Sequence, residues 1–202
     1  MNMLYKIFFK RLLDIVLVIL ILFPVLVIIV AISLCILLGD KGPIFYISKR
    51  IGQNGKFFNM IKFRTMIVDA PDIRLEDGST FNSDSDPRVT KIGNFLRKTS
   101  LDELPQIYNV LDGSMSLIGP RPDPIDWLER YTEEEKEFLK VKPGISGYNQ
   151  AYFRNSADGA TKLKNDLYYS KNISFILDVN IFLKTISTIL FRENLFVDES
   201  RK

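Results

Sequence analysis

One stretch of this chain limits its possible folds more than any other. Residues 12–38 read LLDIVLVILILFPVLVIIVAISLCILL, and Asp14 is the only charge among them. As a helix they would run roughly 40 Å, against the ~30 Å hydrocarbon thickness of a bilayer. The run is too long for the apolar core of a secretory signal, and no small-residue cleavage site follows it. A membrane-associated helix is therefore expected. Pro24 stands at its centre, where proline removes a backbone hydrogen bond and kinks a helix. The halves on either side, 12–23 and 24–38, are roughly 18 Å and 22 Å long, each about the depth of one leaflet. Basic residues flank both ends: Lys6, Lys10 and Arg11 before, Lys41, Lys49 and Arg50 after. Such charges favour the cytoplasmic side. Two courses fit: a re-entrant helix that turns near Pro24 and leaves where it entered, or a kinked single span. Asp14 lies three residues after Arg11, a helical spacing that predicts a pair at the interface.

Beyond Gly39 the composition becomes that of a mixed water-facing body. Taking Lys6, Lys10, Arg11 and Asp14 from the totals of 27 basic and 24 acidic residues leaves 24 and 23. That balance, and a net charge of +3, give no footprint for nucleic-acid binding. No repeat or low-complexity tract is present. IFYISKRIGQNGKFFNMIKFRTMIV predicts two strands around Gly52-Gln53-Asn54-Gly55, because Asn-Gly between apolar runs favours a hairpin. Lys62 and Arg64, two apart on the second strand, would share one face. Residues 69–86 are polar, with Asp69, Asp72, Glu76, Asp77, Asp84 and Asp86, and read as a loop or a short acidic helix. Helical spacing of Ile92, Phe95 and Leu96 predicts one helix. A second would open at Ser100 and present Leu104, Ile107, Tyr108 and Leu111. Residues 126–140 suggest a charged surface helix, Lys142-Pro143-Gly144 a turn, and residues 173–191 an apolar helix packed on the core or lying in the membrane surface. The expected fold is α+β and mainly helical: a membrane helix in residues 1–39, then a body over residues 40–202 with a small β-hairpin and surface amphipathic helices.

Composition also restricts the chemistry. The chain has no histidine and one cysteine, Cys35. Histidine-based triads, His-ligated metals, internal disulfides and CxxC metal clusters are excluded. There is no P-loop and no GxGxxG. Catalysis would fall to carboxylates, Lys, Arg, hydroxyls or a metal held by oxygen. Ser100-Leu101-Asp102-Glu103 has two readings. As S-x-x-E it is a capping box, with Glu103 reaching back to the start of the helix. Alternatively, a carboxylate in a first helical turn stays ionised and sits beside N–H groups that attract phosphate. Asp102 would then ligate Mg²⁺ or attack phosphorus, and the neighbouring carboxylates would push each other's pKa values apart. In Gly119-Pro120-Arg121-Pro122 two prolines restrict the chain around an arginine suited to bidentate phosphate contact, or simply form a rigid turn. Lys62-Phe63-Arg64 offers an anion-binding face or a solvated one. Lys142-Pro143-Gly144-Ile145-Ser146-Gly147, with Gln150 and Arg154 beyond, offers close backbone approach to a ligand or an ordinary turn.

Taken in order, these segments resemble one family. Lys10-Arg11-x-x-Asp14 opens an apolar stretch with a central proline. Lys62-Phe63-Arg64-Thr65-Met66, Arg97-x-x-Ser100-Leu101-Asp102-Glu103-Leu104-Pro105-Gln106, Gly119-Pro120-Arg121-Pro122 and Lys142-Pro143-Gly144-Ile145-Ser146-Gly147 follow. The set resembles the small monotopic phosphoglycosyl transferases of the bacterial sugar transferase family over nearly the whole chain. The resemblance implies transfer of a sugar phosphate from a UDP-sugar to undecaprenyl phosphate, releasing UMP. It implies a re-entrant helix held in inner-membrane lipid at the cytoplasmic face. It implies Asp102 as the nucleophile that becomes linked to the sugar phosphate, Glu103 as its partner (a base or metal-shell group), and Mg²⁺ as cofactor near or on Asp102. Lys62, Arg64, Arg121 and Arg154 would lie near the phosphates or nucleotide. Two departures stand out: Phe23 precedes Pro24 where some members carry a small polar residue, and Tyr152-Phe153 precede Arg154 where others have Asn-Gly. Without the extra membrane helices of larger members, the sequence is expected to be a minimal catalytic form. Two rivals remain: a non-catalytic membrane-tethered interaction module in which Ser100–Glu103 is a cap and nothing more, and a glycosyl transferase that releases UDP.

Overall fold

A computed structural model describes residues 4–73, 83, 86–154 and 156–191. Most of the acidic segment expected within 69–86 lies outside the described residues.

The apolar run forms helix α1, Lys10–Gly39, entered through a π-helical turn at Tyr5–Phe9. At 30 residues it is about 45 Å long. It continues through Pro24, which lies on its exposed side. Asp14, Val18, Val25, Ile32 and Ile36 are buried, and their spacings of four and seven make one stripe along the whole helix. Val18 and Val25 pack with Met60, Ile107, Val110 and Met115. Ile32 and Ile36 pack with Phe63 and Leu96. The rest of the surface, including Leu20, Phe23, Val27, Val30 and Leu38, is exposed and apolar.

Both ends of α1 are tied to the same body. Arg11 donates to the carbonyls of Val110 at 2.5 Å and Leu111 at 3.1 Å. The Leu117 N–H donates to Asp14 at 3.1 Å. At the far end the Thr90 hydroxyl donates to Asp40 at 2.7 Å. The expected Arg11–Asp14 pair does not form, because each side chain meets a backbone group that would otherwise be unpaired.

Strands β1, Phe45–Ile51, and β2, Phe57–Phe63, form the expected antiparallel hairpin, with Phe45 opposite Phe63 and Ile51 opposite Phe57. Asn54 takes a left-handed φ of 55° and Gly55 one of 73° in the connection, conformations that favour these two residue types. Helix α2, Lys91–Thr99, is capped by Thr90, whose hydroxyl accepts from the Gly93 N–H at 2.9 Å.

Three local expectations are corrected. The second helix does not open at Ser100: Leu101–Gln106 is a 3₁₀ turn, and helix α3 spans only Ile107–Asp112. Tyr108 and Leu111 are exposed, since so short a helix turns only Ile107, Asn109 and Val110 inward, while Leu104 packs from the 3₁₀ turn before it. The charged surface helix is two 3₁₀ turns, Ile125–Arg130 and Glu135–Lys140. Thr132 separates them, its N–H and hydroxyl both donating to Glu135. Lys142-Pro143-Gly144 is not a turn. It leads into strand β4, Gly144–Ser146, which pairs in parallel with β3, Ser116–Ile118. The glycines of this segment bring two backbones together: a Cβ at Gly144 or Gly147 would overlap the main chain of Gly119.

Helix α4, Tyr148–Tyr152, and α5, Gly159–Asn172, follow. Helix α6, Phe175–Leu190, realises the apolar helix expected at 173–191. It turns Asp178, Ile181 and Thr188 inward and leaves Phe175, Ile176, Phe182, Leu183, Ile186 and Leu190 exposed. The Tyr5 ring packs on Phe175 at 6.0 Å, so the apolar N-terminal turn and the apolar face of α6 adjoin.

Candidate active site

Helix α2 ends at Ser100, whose left-handed φ of 58° turns the chain back toward the hairpin. Pro105 and the 3₁₀ winding of Leu101–Gln106 hold Asp102 and Glu103 against β2. There Lys62, 41 residues earlier, donates to Glu103 Oε1 at 2.7 Å. Arg121 reaches the same oxygen through both terminal nitrogens, each at 3.1 Å. Arg154 donates to the Ser100 hydroxyl at 3.0 Å, and Arg97 donates to Thr65 at 3.0 Å while its charge acts on Asp102.

This arrangement removes the capping box. Glu103 is committed to Lys62 and Arg121, and the Ser100 side chain caps no helix. The argument from a first-turn helix dipole lapses as well, because a 3₁₀ turn and not an α-helix follows Ser100. The tethered-module reading thereby loses the role it gave these residues.

The two carboxylates differ sharply. Burial raises the pKa of Glu103, but Lys62 and Arg121 outweigh it and hold the group at about 2. Burial raises Asp102, the adjacent Glu103 charge adds to it, and the surrounding cations only partly oppose. Among the described residues, no hydrogen bond or ion pair reaches the Asp102 carboxylate. Lys62, Arg97, Arg121 and Arg154 stand around the two carboxylates. A partly buried group of four cations suits a diphosphate.

Of the residues expected from sequence, the structure brings together Lys62, Asp102, Glu103, Arg121 and Arg154. It places Arg64 elsewhere. That guanidinium is buried and donates to the carbonyls of Pro43 at 2.6 Å and Met66 at 3.1 Å. Strand β2 stops at Phe63, so the two-residue rule for a shared face no longer applies to Arg64. Arg97 belongs to the cluster and was not among the expected site residues. Its signal was its place three residues before Ser100, in the last turn of α2.

Among the described residues, no group of three or more carboxylate or cysteine side chains is placed to hold a metal. Lys62 and Arg121 both take Glu103 Oε1, so Asp102 is the carboxylate of the pair with neither oxygen bonded among the described residues. A divalent ion bound by one carboxylate and the phosphate oxygens of a substrate fits this donor set, a common manner of binding for Mg²⁺.

Comparison with known proteins supplies the family. The model of a family described as bacterial sugar transferase matches residues 5–192. An uncharacterized sugar transferase of Haemophilus influenzae is 46% identical over 168 residues, covering 78% of this chain and 36% of the relative. A protein of Salmonella typhimurium named undecaprenyl-phosphate galactose phosphotransferase is 40% identical over 205 residues, covering 94% of this chain and 42% of the relative. A protein of Aeromonas hydrophila named UDP-N-acetylgalactosamine-undecaprenyl-phosphate N-acetylgalactosaminephosphotransferase is 40% identical over 166 residues, covering 79% and 38%. The chain spans less than half the length of these three relatives.

Proposed function

The chain belongs to the bacterial sugar transferase family, and from that premise we propose that it transfers a sugar phosphate from a UDP-sugar to undecaprenyl phosphate. The observation that carries this reading is the contrast within one carboxylate pair: Glu103 is bound by two cations, while Asp102 stands beside them with no bonded partner among the described residues. Galactose and N-acetylgalactosamine, named for two relatives, are the first donors to try.

The reaction proceeds in two displacements. An Asp102 carboxylate oxygen attacks the phosphorus that bears the sugar. The new O–P bond forms as the bond from that phosphorus to the bridging oxygen breaks, and the electron pair leaves on that oxygen as UMP. An anionic oxygen of undecaprenyl phosphate then attacks the same phosphorus and releases Asp102. With Asp102 ionised, neither nucleophile carries a proton that must be removed, and no general base is required. Glu103 acts instead by holding Lys62 and Arg121 where charge collects on the departing UMP. Asp102 would help to hold Mg²⁺, which would supply further charge neutralisation. A covalent intermediate lets a soluble donor and a lipid acceptor use one site in turn.

The same reading extends to topology. A helix crossing a bilayer would place its ends on opposite sides, yet Arg11 and Asp40 both bond to one charged body. With basic residues at both ends, α1 enters inner-membrane lipid from the cytoplasmic face and does not cross. Residues 1–39 serve as the membrane element and residues 40–202 as the catalytic body. The exposed apolar face of α6 and the N-terminal turn rest in the headgroup region, at the height of the lipid phosphate.

The test is the identity of the nucleotide released. Detergent-purified protein with undecaprenyl phosphate, Mg²⁺ and a panel of UDP-sugars is expected to release UMP. Release of UDP would instead establish glycosyl transfer and sink the mechanism.

A further inference from the structure

Arg121 carries a demanding task on a short segment, and its side chain is 43% exposed. Its backbone is held from behind by a second, separate charge cluster. Lys162 on α5 lies 2.7 Å from Asp123 Oδ2, 2.8 Å from Asp166 Oδ2 and 3.5 Å from the Arg121 carbonyl oxygen. The Tyr131 hydroxyl donates to Asp123 Oδ2 at 2.7 Å. The Asp123 carbonyl accepts from the Ile51 N–H at 3.0 Å, which joins the segment to the end of β1. The cluster is buried but poorly balanced: two carboxylates share one lysine, and Asp166 Oδ1 is buried with no hydrogen-bond partner among the described residues. Buried ion pairs of this kind are seldom better for stability than apolar packing.

Its position relative to Arg121 suggests another use. Asp123 is two residues from Arg121, and its charge acts on that guanidinium. Three carboxylates therefore act on Arg121: Glu103 and Asp102 in the site, and Asp123 two residues along its own segment. We propose that Lys162 is a positioning residue that neutralises Asp123, so that Arg121 stays on Glu103 and facing the donor's phosphates. Without Lys162, Asp123 draws the guanidinium back and the site loses a phosphate-binding cation. The inference rests on the phosphoryl-transfer reading above for its catalytic consequence, but not for its effect on anion binding.

Charge rescue tests it on the full-length protein in detergent, with UMP release and binding of inorganic pyrophosphate as separate readouts. Lys162→Met is expected to lower kcat/KM by about 100-fold, the scale of losing one charge-stabilising donor. It is also expected to weaken pyrophosphate binding by about 10-fold, equivalent to roughly 1.4 kcal/mol. Adding Asp123→Asn removes the competing charge and should restore both readouts to within about 10-fold of wild type. Adding Asp166→Asn instead relieves the same burial of unpaired charge, so it should recover thermal stability but not activity or binding. Equal rescue of activity by Asp166→Asn would show a merely structural cluster and overturn the proposal, as would wild-type binding and turnover in Lys162→Met. A wild type that binds pyrophosphate but releases no UMP would contradict the proposed function alone, and the binding series would still decide the role of Lys162.

Discussion

Two carboxylate centres in this molecule are built from similar parts to opposite ends. Asp178 on α6 is closed on all sides. Tyr5 donates to its Oδ2 at 2.7 Å and Lys10 at 2.6 Å, and the Tyr169 hydroxyl lies 2.8 Å from Oδ1. One cation meets one anion, and both oxygens are bonded. That centre ties the start of the membrane helix to α6 and has nothing left to offer a ligand. Around Asp102 and Glu103, four cations face two anions, and one carboxylate has no partner among the described residues. Burial alone does not separate a structural carboxylate from a reactive one. Saturation of the oxygens does.

The strongest way to break this contrast is to neutralise one member of each centre. Asp102→Asn should abolish UMP release, by at least about 1,000-fold, without lowering the melting temperature, because no bond is lost. Asp178→Asn should do the reverse. It should destabilise the fold by about 2 kcal/mol, the scale of a hydrogen bond to a charged group, and keep turnover at temperatures where the protein stays folded. Next in size, Arg121→Ala should reduce kcat/KM by about 100-fold, as removal of one charge-stabilising donor does. Equal losses of stability and activity at both centres would erase the distinction.

Acid titration of stability sharpens it. Glu103 is held at about 2, below its unfolded value of about 4.3. Its contribution to stability is therefore complete above the unfolded value and is lost as pH falls toward 2. The destabilisation by Glu103→Gln, measured in urea, should shrink over that window. Asp102 is shifted upward, so its ionisation costs stability as pH rises through its folded value. Asp102→Asn should accordingly be more stable than wild type at pH 7, with the gain vanishing below about pH 3.9, the ordinary Asp value. The smallest effect belongs to Ser100→Ala. A capping serine would cost about 1 kcal/mol when removed. Here the hydroxyl only receives Arg154, so thermal denaturation should show less than about half that, with a few-fold loss of activity.

Local periodicity made much of the fold legible. The apolar run gave α1 and Asn54-Gly55 gave the hairpin, since both depend on neighbours in sequence. The 3₁₀ turns at Leu101–Gln106 and within residues 125–140 were read as α-helix because their polar and apolar spacing is shared by both forms. At the site, Asp102 and Glu103 stood out as a pair, but nothing local indicated which one would be bonded. That was decided by Lys62 and Arg121, which lie 41 and 18 residues from Glu103. Arg64 misled for the same reason: its place depends on where β2 ends. The Lys162–Asp123 contact spans 39 residues and had no signature in sequence at all.

The most direct test of the account is the mass of the protein after exposure to a UDP-sugar and Mg²⁺ without lipid acceptor. The account predicts one sugar phosphate added to wild type, on the peptide containing Asp102. The adduct should be lost on adding undecaprenyl phosphate and be absent in Asp102→Asn. UMP release that requires both substrates together, with no adduct under any condition, would contradict the role assigned to Asp102.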